Sequence, residues 1–379
     1  MAPHDGAAGG ATPSADELRE RAKSLIPFLL EQQPRHAAAR RITEDTIAKV
    51  REAGLFRILQ PKRYGGFEMS PSVFADVLMS LAKADPSLGF VYGILGVHNF
   101  HMGFYDARAA LDVWGEDQDV LVASPYSPMG KAVRVDGGFR ISGRWSFSTG
   151  CDNCDWTFLS GVVQGEDHLP LIQRMHAFLI PRKDARIVDN WHVMGLQGTG
   201  SKDVVVEDAF VPDYRVERFP IIDPTGMPGL KVNTGPLFRM PFMPVFYRAV
   251  SSAAIGALEG MLESFSAFTS GRLTVLSEVA ARDPLVQLAA GQAVVGIDEM
   301  KATLHRDFAE MEAVVAAGGT FSPVRAQQYM LSSANVPHRA AELGLGLLRA
   351  AGANGIRTDK NISRYFNDIL VIGQHAACT

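Results

Sequence analysis

Little in this 379-residue chain suits a disulfide-stapled, membrane-spanning or nucleic-acid-binding protein. Three cysteines are too few for a disulfide framework. Cys151-Asp152-Asn153-Cys154 is a C-x-x-C, but without a second pair it lacks a zinc set and reads as two small side chains in a turn. No apolar run approaches the roughly 20 residues that cross a bilayer, so no membrane contact is expected. A net charge of −4 gives no basic surface for nucleic acid. No G-x-G-x-x-G follows a strand, which argues against a Rossmann nicotinamide site, and there is no P-loop. Residues 1–13 lack the basic start and apolar stretch of a signal peptide. They read as a disordered tail, with a cytoplasmic location by default.

What is present is core. With 47% hydrophobic and 21% charged residues, the chain has material for two or three domains. Ser14-Ala-Asp-Glu17 is a capping box opening a helix with Leu18, Ala22, Leu25, Ile26 and Leu29 at helical spacing. A second helix runs from about Glu44 to Ala53, closing at Gly54. Ser70-Pro71 and Asp85-Pro86 pair an N-cap with an N1 proline. Residues 14–119 therefore form a helical domain. From 120 to 215 the pattern turns to short β-rich runs, among them Val133–Val135 and Phe139–Ile141 around an Asp136-Gly137 turn. A Pro/Gly-rich connection, 216–245, leads to long apolar-periodic segments at about 246–272, 285–316, 323–350 and 362–373. These predict a four-helix bundle over 246–379. The fold class is α+β, mostly α.

One segment carries more than this pattern. Val193-Met194-Gly195-Leu196-Gln197-Gly198-Thr199-Gly200-Ser201 is a tight polar turn, rich in glycine and hydroxyls, that enters a β-rich run ending at Pro212. It resembles the M-G-[IL]-R-G-T-G-S signature of the acyl-CoA dehydrogenase superfamily, where the turn contacts a flavin. Gly96–Met102, Val113–Asp117, Ser124-Pro-Tyr126-Ser-Pro-Met-Gly130 and Trp145-Ser-Phe147-Ser148-Thr149-Gly150 narrow the resemblance. They are similar to the oxygenase components of two-component flavin-dependent aromatic hydroxylases. The resemblance covers nearly the whole chain. It implies an N-terminal helical domain, a central β-barrel and a C-terminal four-helix bundle.

The superfamily's dehydrogenases abstract a proton with a glutamate near the C-terminus. Counted from Asp368, that position here is Ala376, preceded by His375, and residues 236–257 contain no Asp or Glu at the alternative position. Without a carboxylate base this reaction has no agent. The hydroxylase resemblance implies instead that reduced flavin and O₂ form a C4a-hydroperoxide, protected by a hydroxyl on flavin N5. Thr149 matches that hydroxyl, with Ser148 as second choice; on residue chemistry alone Thr149 equally serves a local backbone group. A base of near-neutral pKa turns a phenol into the more reactive phenolate, which histidine supplies. His375 and His98 match family active-site histidines, and Ser124, with Tyr126 beside it, matches the partner of the phenolic oxygen. His101 lies behind His98 on the same helical face.

For the flavin itself, Thr199 and Ser201 offer hydroxyls and backbone N–H groups as an anion nest. Arg239 matches a basic family position, or is a surface arginine in a loop. Trp145 and Phe147 either flank the isoalloxazine or are plain core. Gln197 and Asn367 replace arginines of the family pattern, a loss of charge tolerable where reduced flavin is borrowed. The expected cofactor is FMN as FMNH₂, with FADH₂ as the other form. The expected partners are an NAD(P)H-dependent flavin reductase, a small aromatic substrate, O₂ and three further copies in a homotetramer. The tetramer is expected because Leu343–Leu348 with Ala350 and Ala351 is apolar on more than one face. Alternatives are an amino-sugar N-oxygenase, an acyl-CoA dehydrogenase and a catalytically idle flavin-binding scaffold.

Overall fold

Ser14 opens the first helix as its capping box requires: its hydroxyl accepts from Glu17 N–H at 3.2 Å, and the Glu17 carboxylate accepts from Ser14 N–H at 2.6 Å. The computed structural model describes residues 12–221, 224–273 and 279–379, so the expected tail over 1–13 lies almost wholly outside the described residues. Helix α1 (Ala15–Ser24) gives way at Leu25 to α2 (Ile26–Ala39). One helix was expected here, but Pro27 lacks the N–H that would continue α1 and suits the first turn of a new helix. Helix α3 (Glu44–Glu52) is followed by Gly54 at φ 74°, a left-handed stop that glycine adopts freely. The two N-cap–proline pairs start α4 (Pro71–Ala84) and α5 (Pro86–Met102), with Asp85 accepting from both Ser87 and Leu88 N–H. Helix α6 (Ala107–Trp114) completes the N-terminal part.

The β-domain is one mixed eight-stranded sheet. Its strands are β1 (Val122–Ala123), β2 (Gly130–Val135), β3 (Gly138–Ser148), β4 (Trp156–Val163), β5 (Met175–Pro181), β6 (Arg186–Val188), β7 (Lys202–Pro212) and β8 (Val216–Arg218). A four-residue helix, α7 (Leu171–Arg174), precedes β5. The order is β6-β7-β3-β2-β4-β5-β8, with β1 parallel to β4. Gly137 at φ 72° makes the expected hairpin turn between β2 and β3. Strand β8 pairs with β5, Val216 opposite Phe178, so the sheet reaches past the expected boundary at 215.

The bundle helices are α8 (Phe242–Gly271), α9 (Pro284–Ala316), α10 (Pro323–Ala351) and α11 (Ile362–Ile372). Helix α8 starts a turn earlier than expected and brings Phe242 into the core. Every residue of α5 is buried, so this helix lies between sheet and bundle and forms the spine of the molecule. Close packing depends on glycine: a Cβ on Gly93 would sit 2.3 Å from the Ala249 carbonyl oxygen of α8. No helix of the described residues is long and apolar enough to cross a membrane.

Candidate active site

The turn at 195–201 docks where three elements meet. Leu196 N–H donates to Asp368 of α11 at 2.5 Å, and Gly198 N–H donates to Ser87 at the start of α5 at 3.1 Å. Burial pushes the Asp368 carboxyl up to about 7. The hydroxyls of Thr199 and Ser201 point inward. Thr199 Oγ1 donates to Leu196 O at 3.0 Å and lies 2.8 Å from Ser201 Oγ, which lies 2.9 Å from Thr149 Oγ1. Thr199 N–H donates to Leu196 O as well, at 3.1 Å. The expected phosphate nest is therefore not formed by Thr199: its N–H and its hydroxyl are both engaged within the turn, and both hydroxyl residues are buried.

Thr149 and its neighbours sit at the irregular end of β3. The pairing of β3 with β7 shifts between Trp145 and Ser148, and Phe147 adopts φ 65°. This bulge separates two aromatics that simple alternation places on one face. Trp145 is fully buried and donates through Nε1 to Ser160 O at 2.7 Å. It packs as sheet core. Phe147 is 71% exposed, with its ring edge-on to Trp191 at 6.3 Å. Ser148 Oγ is buried without a partner, while Thr149 Oγ1 has the Ser201 hydroxyl. An exposed aromatic ring and an orphaned buried hydroxyl, at the two positions just before Thr149, fit a planar polar heterocycle such as a flavin.

Further along α5, His98 is fully buried. Its Nδ1 lies 2.6 Å from Val122 O and its Nε2 lies 2.8 Å from Ser124 Oγ. A carbonyl oxygen only accepts, so the neutral ring carries its proton on Nδ1 and takes the Ser124 hydroxyl proton at Nε2. Burial pulls its pKa down to about 4, against the raising effect of the Val122 carbonyl. His101, one turn on, has Nδ1 2.6 Å from Tyr126 Oη, and its Nε2 is buried without a partner. Burial also drives His101 well below the usual histidine range. Aromatic rings close around the pair: Phe158 lies 4.4 Å and Phe242 4.7 Å from His101, and Tyr126 stacks on Phe219 at 4.2 Å.

His375 reaches the same aromatic cluster from the C-terminal end. Phe246 lies 6.1 Å from its ring and 5.5 Å from Tyr126, and Phe90 of α5 lies 6.0 Å away on another side. Its Nδ1 accepts from Ala377 N–H at 3.0 Å, which leaves the neutral ring's proton on Nε2. Burial pulls its pKa down to about 4. Ala376, at the dehydrogenase glutamate position, is exposed and carries no acid. Arg239 is exposed in the turn Pro236–Arg239 and enters no ion pair among the described residues. The two free cysteines of the C-x-x-C are buried, and no metal-binding cluster occurs among the described residues.

The rings of Phe90, Phe158, Phe219, Phe242 and Phe246 were not among the sequence candidates. Phe242 and Phe246 are four apart on α8, a spacing that places both on one helix face; the other three come from three separate parts of the chain and leave no local signal.

Helical N-terminal part, central sheet and C-terminal bundle together give the acyl-CoA dehydrogenase fold of a flavoprotein, with a buried histidine–serine pair at α5 and no carboxylate at the position of the dehydrogenases' base. Comparison with known proteins agrees. The family model for the acyl-CoA dehydrogenase N-terminal domain matches residues 12–103, and that for the C-terminal domain matches residues 249–379. The chain is 38% identical to a pigment production hydroxylase of Rhodococcus erythropolis, over 89% of this chain and 86% of the relative. It is 34% identical to the flavin-dependent monooxygenase oxygenase subunit HsaA of Rhodococcus jostii, over 94% of each. The crystal structure of 3-HSA hydroxylase from Rhodococcus sp. RHA1 superposes with a TM-score of 0.89 at 33% identity, covering 96% of this chain and 93% of that one. The chain belongs to the acyl-CoA dehydrogenase superfamily, in its branch of flavin-dependent monooxygenase oxygenase subunits.

Proposed function

We propose that the protein hydroxylates a phenolic ring, with O₂ and reduced flavin, to a catechol- or hydroquinone-type product. As a member of this branch it is the oxygenase component of a flavin-dependent monooxygenase acting on an aromatic compound, and its cofactor is reduced flavin. A separate NAD(P)H-dependent reductase supplies FMNH₂, or FADH₂ in its place. Bound reduced flavin supplies the two electrons that activate O₂. One oxygen atom enters the ring and the other leaves as water.

The observation that carries the phenol reading is the relay Ser124–His98. A phenolic hydroxyl donating to Ser124 Oγ passes its proton, through the serine hydroxyl, to a neutral Nε2 already in place. His375 presents N–H at Nε2 and so steadies the developing phenolate as a donor. Of the two candidate histidines His98 is therefore the base, because Ala377 N–H occupies the His375 nitrogen that would take a proton. Tyr126 and the surrounding phenylalanines hold the ring and keep water out. An amine needs no such relay before oxygen transfer. The test supplies reduced FMN and O₂ to the protein with a panel of phenols and amino sugars. Hydroxylated phenols are the expected products; N-oxidised amino sugars in their place would refute the reading.

The homotetramer is part of the same proposal, with a change of surface. Leu343 and Leu347 are already buried within the chain, so the stretch that suggested the tetramer is largely spent on the internal core. Leu285, Leu288 and Val295 are instead exposed on α9 at helical spacing, beside Val294. Gly291 adds open space between them. An apolar stripe of this kind supports burial against another copy.

A further inference from the structure

The chain of hydroxyls behind Thr149 has a direction, and the direction has a chemical consequence. Its inner end is the Leu196 carbonyl oxygen, which can only accept. Thr199 Oγ1 therefore spends its single proton on Leu196 O, at 3.0 Å. The contact of 2.8 Å between Thr199 and Ser201 then has only one proton available to it, that of Ser201. With Ser201 committed inward, the 2.9 Å contact between Ser201 and Thr149 must be made by the Thr149 proton. Each hydroxyl holds one hydrogen, so the carbonyl fixes all three bonds in one sense. All three side chains are buried, and Gly150 N–H donates to Thr199 O at 3.1 Å, tying strand β3 to the turn at the spacing these bonds need. Thr149 Oγ1 is left with free lone pairs and no proton to give.

We infer that Ser201 and Thr199 are positioning residues which make Thr149 an obligate hydrogen-bond acceptor, so that the site selects flavin carrying a proton on N5. The inference rests on the flavin-dependent reading above and deepens it. Oxidised flavin presents a lone pair at N5, and against it the Thr149 oxygen meets acceptor with acceptor. Reduced flavin presents N5–H, which that oxygen takes. The same bond opposes loss of the N5 proton, the event that wastes activated oxygen as H₂O₂. A free threonine hydroxyl would rotate to donate to either form and discriminate little. The discrimination thus resides in two residues that need not touch the flavin.

The experiment is a pair of binding titrations on the full chain: oxidised FMN, and FMN reduced with dithionite under anaerobic conditions. The variants are Ser201→Ala, Thr199→Val, which keeps the volume and removes the hydroxyl, and Thr199→Ser, which keeps the hydroxyl. The wild type should bind reduced FMN more tightly. In Ser201→Ala and Thr199→Val that preference should fall about tenfold, the scale of one mismatched hydrogen bond, chiefly by tighter binding of oxidised FMN. Thr199→Ser should keep it. Should Ser201→Ala fail to fold, the two Thr199 variants carry the comparison alone. A wild-type preference that survives both hydroxyl deletions overturns the relay and leaves the flavin reading intact. An equal loss in Thr199→Ser and Thr199→Val also overturns it, because packing rather than bond direction is then responsible. If the wild type binds neither form, the flavin reading itself fails, and the relay with it.

Discussion

His98 and Ser124 show what a single buried pair decides. An imidazole with an ordinary pKa near 6.5 is half protonated in mildly acidic solution and useless there as a base; burial keeps His98 neutral down to about 4. The acid limb of hydroxylation should therefore fall well below pH 6.5, and a limb at 6.5 in the pH–rate profile would contradict the relay. Stability has the same origin. The unfolded histidine takes up a proton below about 6.5 and the folded one only below about 4, so the unfolded state binds more protons in that window. Folded stability then rises with pH between the two values and is lost as pH falls through them, by about 3 kcal/mol for His98 alone. Because the raised carboxyl of Asp368 acts with the opposite sign in the same window, urea titrations of the wild type and of His98→Gln at pH 7 and pH 4.5 isolate the histidine, and an equal pH dependence in both would count against the burial argument.

Replacement of Ser124 by Ala breaks the relay without touching the histidine. Hydroxylation should slow by about 10² or more at neutral pH, and the deficit should shrink as pH nears the substrate's own pKa, where phenolate arrives already formed. His375→Gln, whose amide retains a donor, should keep more activity than His375→Ala. A stopped-flow comparison across pH checks both expectations, and a deficit independent of pH would remove Ser124 from the proton path.

At the scale of elements, the bulge at the end of β3 is the feature that sequence alternation misreads. Trp145 and Phe147 are two apart, and a regular strand puts both on one face. The positive φ of Phe147 puts Trp145 in the core and leaves Phe147 in the open. A left-handed conformation costs a bulky residue about 1–2 kcal/mol, and an exposed ring recovers little by burial, so contact with a ligand is what the position favours. Phe147→Gly should relieve the strain and raise stability by about 1 kcal/mol while weakening reduced-FMN affinity. Calorimetry and titration on one sample check it; a gain of stability with unchanged affinity would make the strain purely structural.

Much of the chain is legible without a structure, for identifiable reasons. The capping box at Ser14, the Asp85-Pro86 start of α5, the Asp136-Gly137 hairpin and the ends of α9 and α10 are local events, set by hydrogen bonds and φ preferences within a few residues. Thr149, His98 and Ser124 could be singled out as candidates because short motifs surround them. Their partners could not. That Val122 O holds His98, that Ala377 N–H occupies His375 and that Leu196 O terminates the hydroxyl chain all depend on how strand, helix and turn meet. Phe158, Phe219 and Phe246 were missed because an aromatic residue reads as core wherever it stands.

On the scale of the whole molecule, α5 is the element on which everything else is positioned. Ser87 at its first turn anchors the 195–201 turn, Phe90 meets His375, and His98 and His101 face the aromatic cluster. Opposite ends of one buried helix thus hold the two halves of the proposed site. The outer surface of the bundle points to assembly, since Leu285, Leu288 and Val295 stay exposed in the single chain. Light scattering should give about four times the chain's 41.1 kDa, and Leu288→Lys should shift it toward smaller species by placing a charge in a buried interface. A wild-type monomer would refute that assembly.

The proposed reaction is oxygen transfer from O₂ to a phenol by reduced flavin on this protein. Its most direct test mixes the protein, anaerobic FMNH₂ and a phenol with ¹⁸O₂, and reads the product by mass spectrometry after a single turnover. One ¹⁸O atom is expected in the hydroxylated product, dependent on reduced flavin and lost with oxidised FMN. Product oxygen derived from water, or hydroxylation that proceeds without reduced flavin, would contradict it.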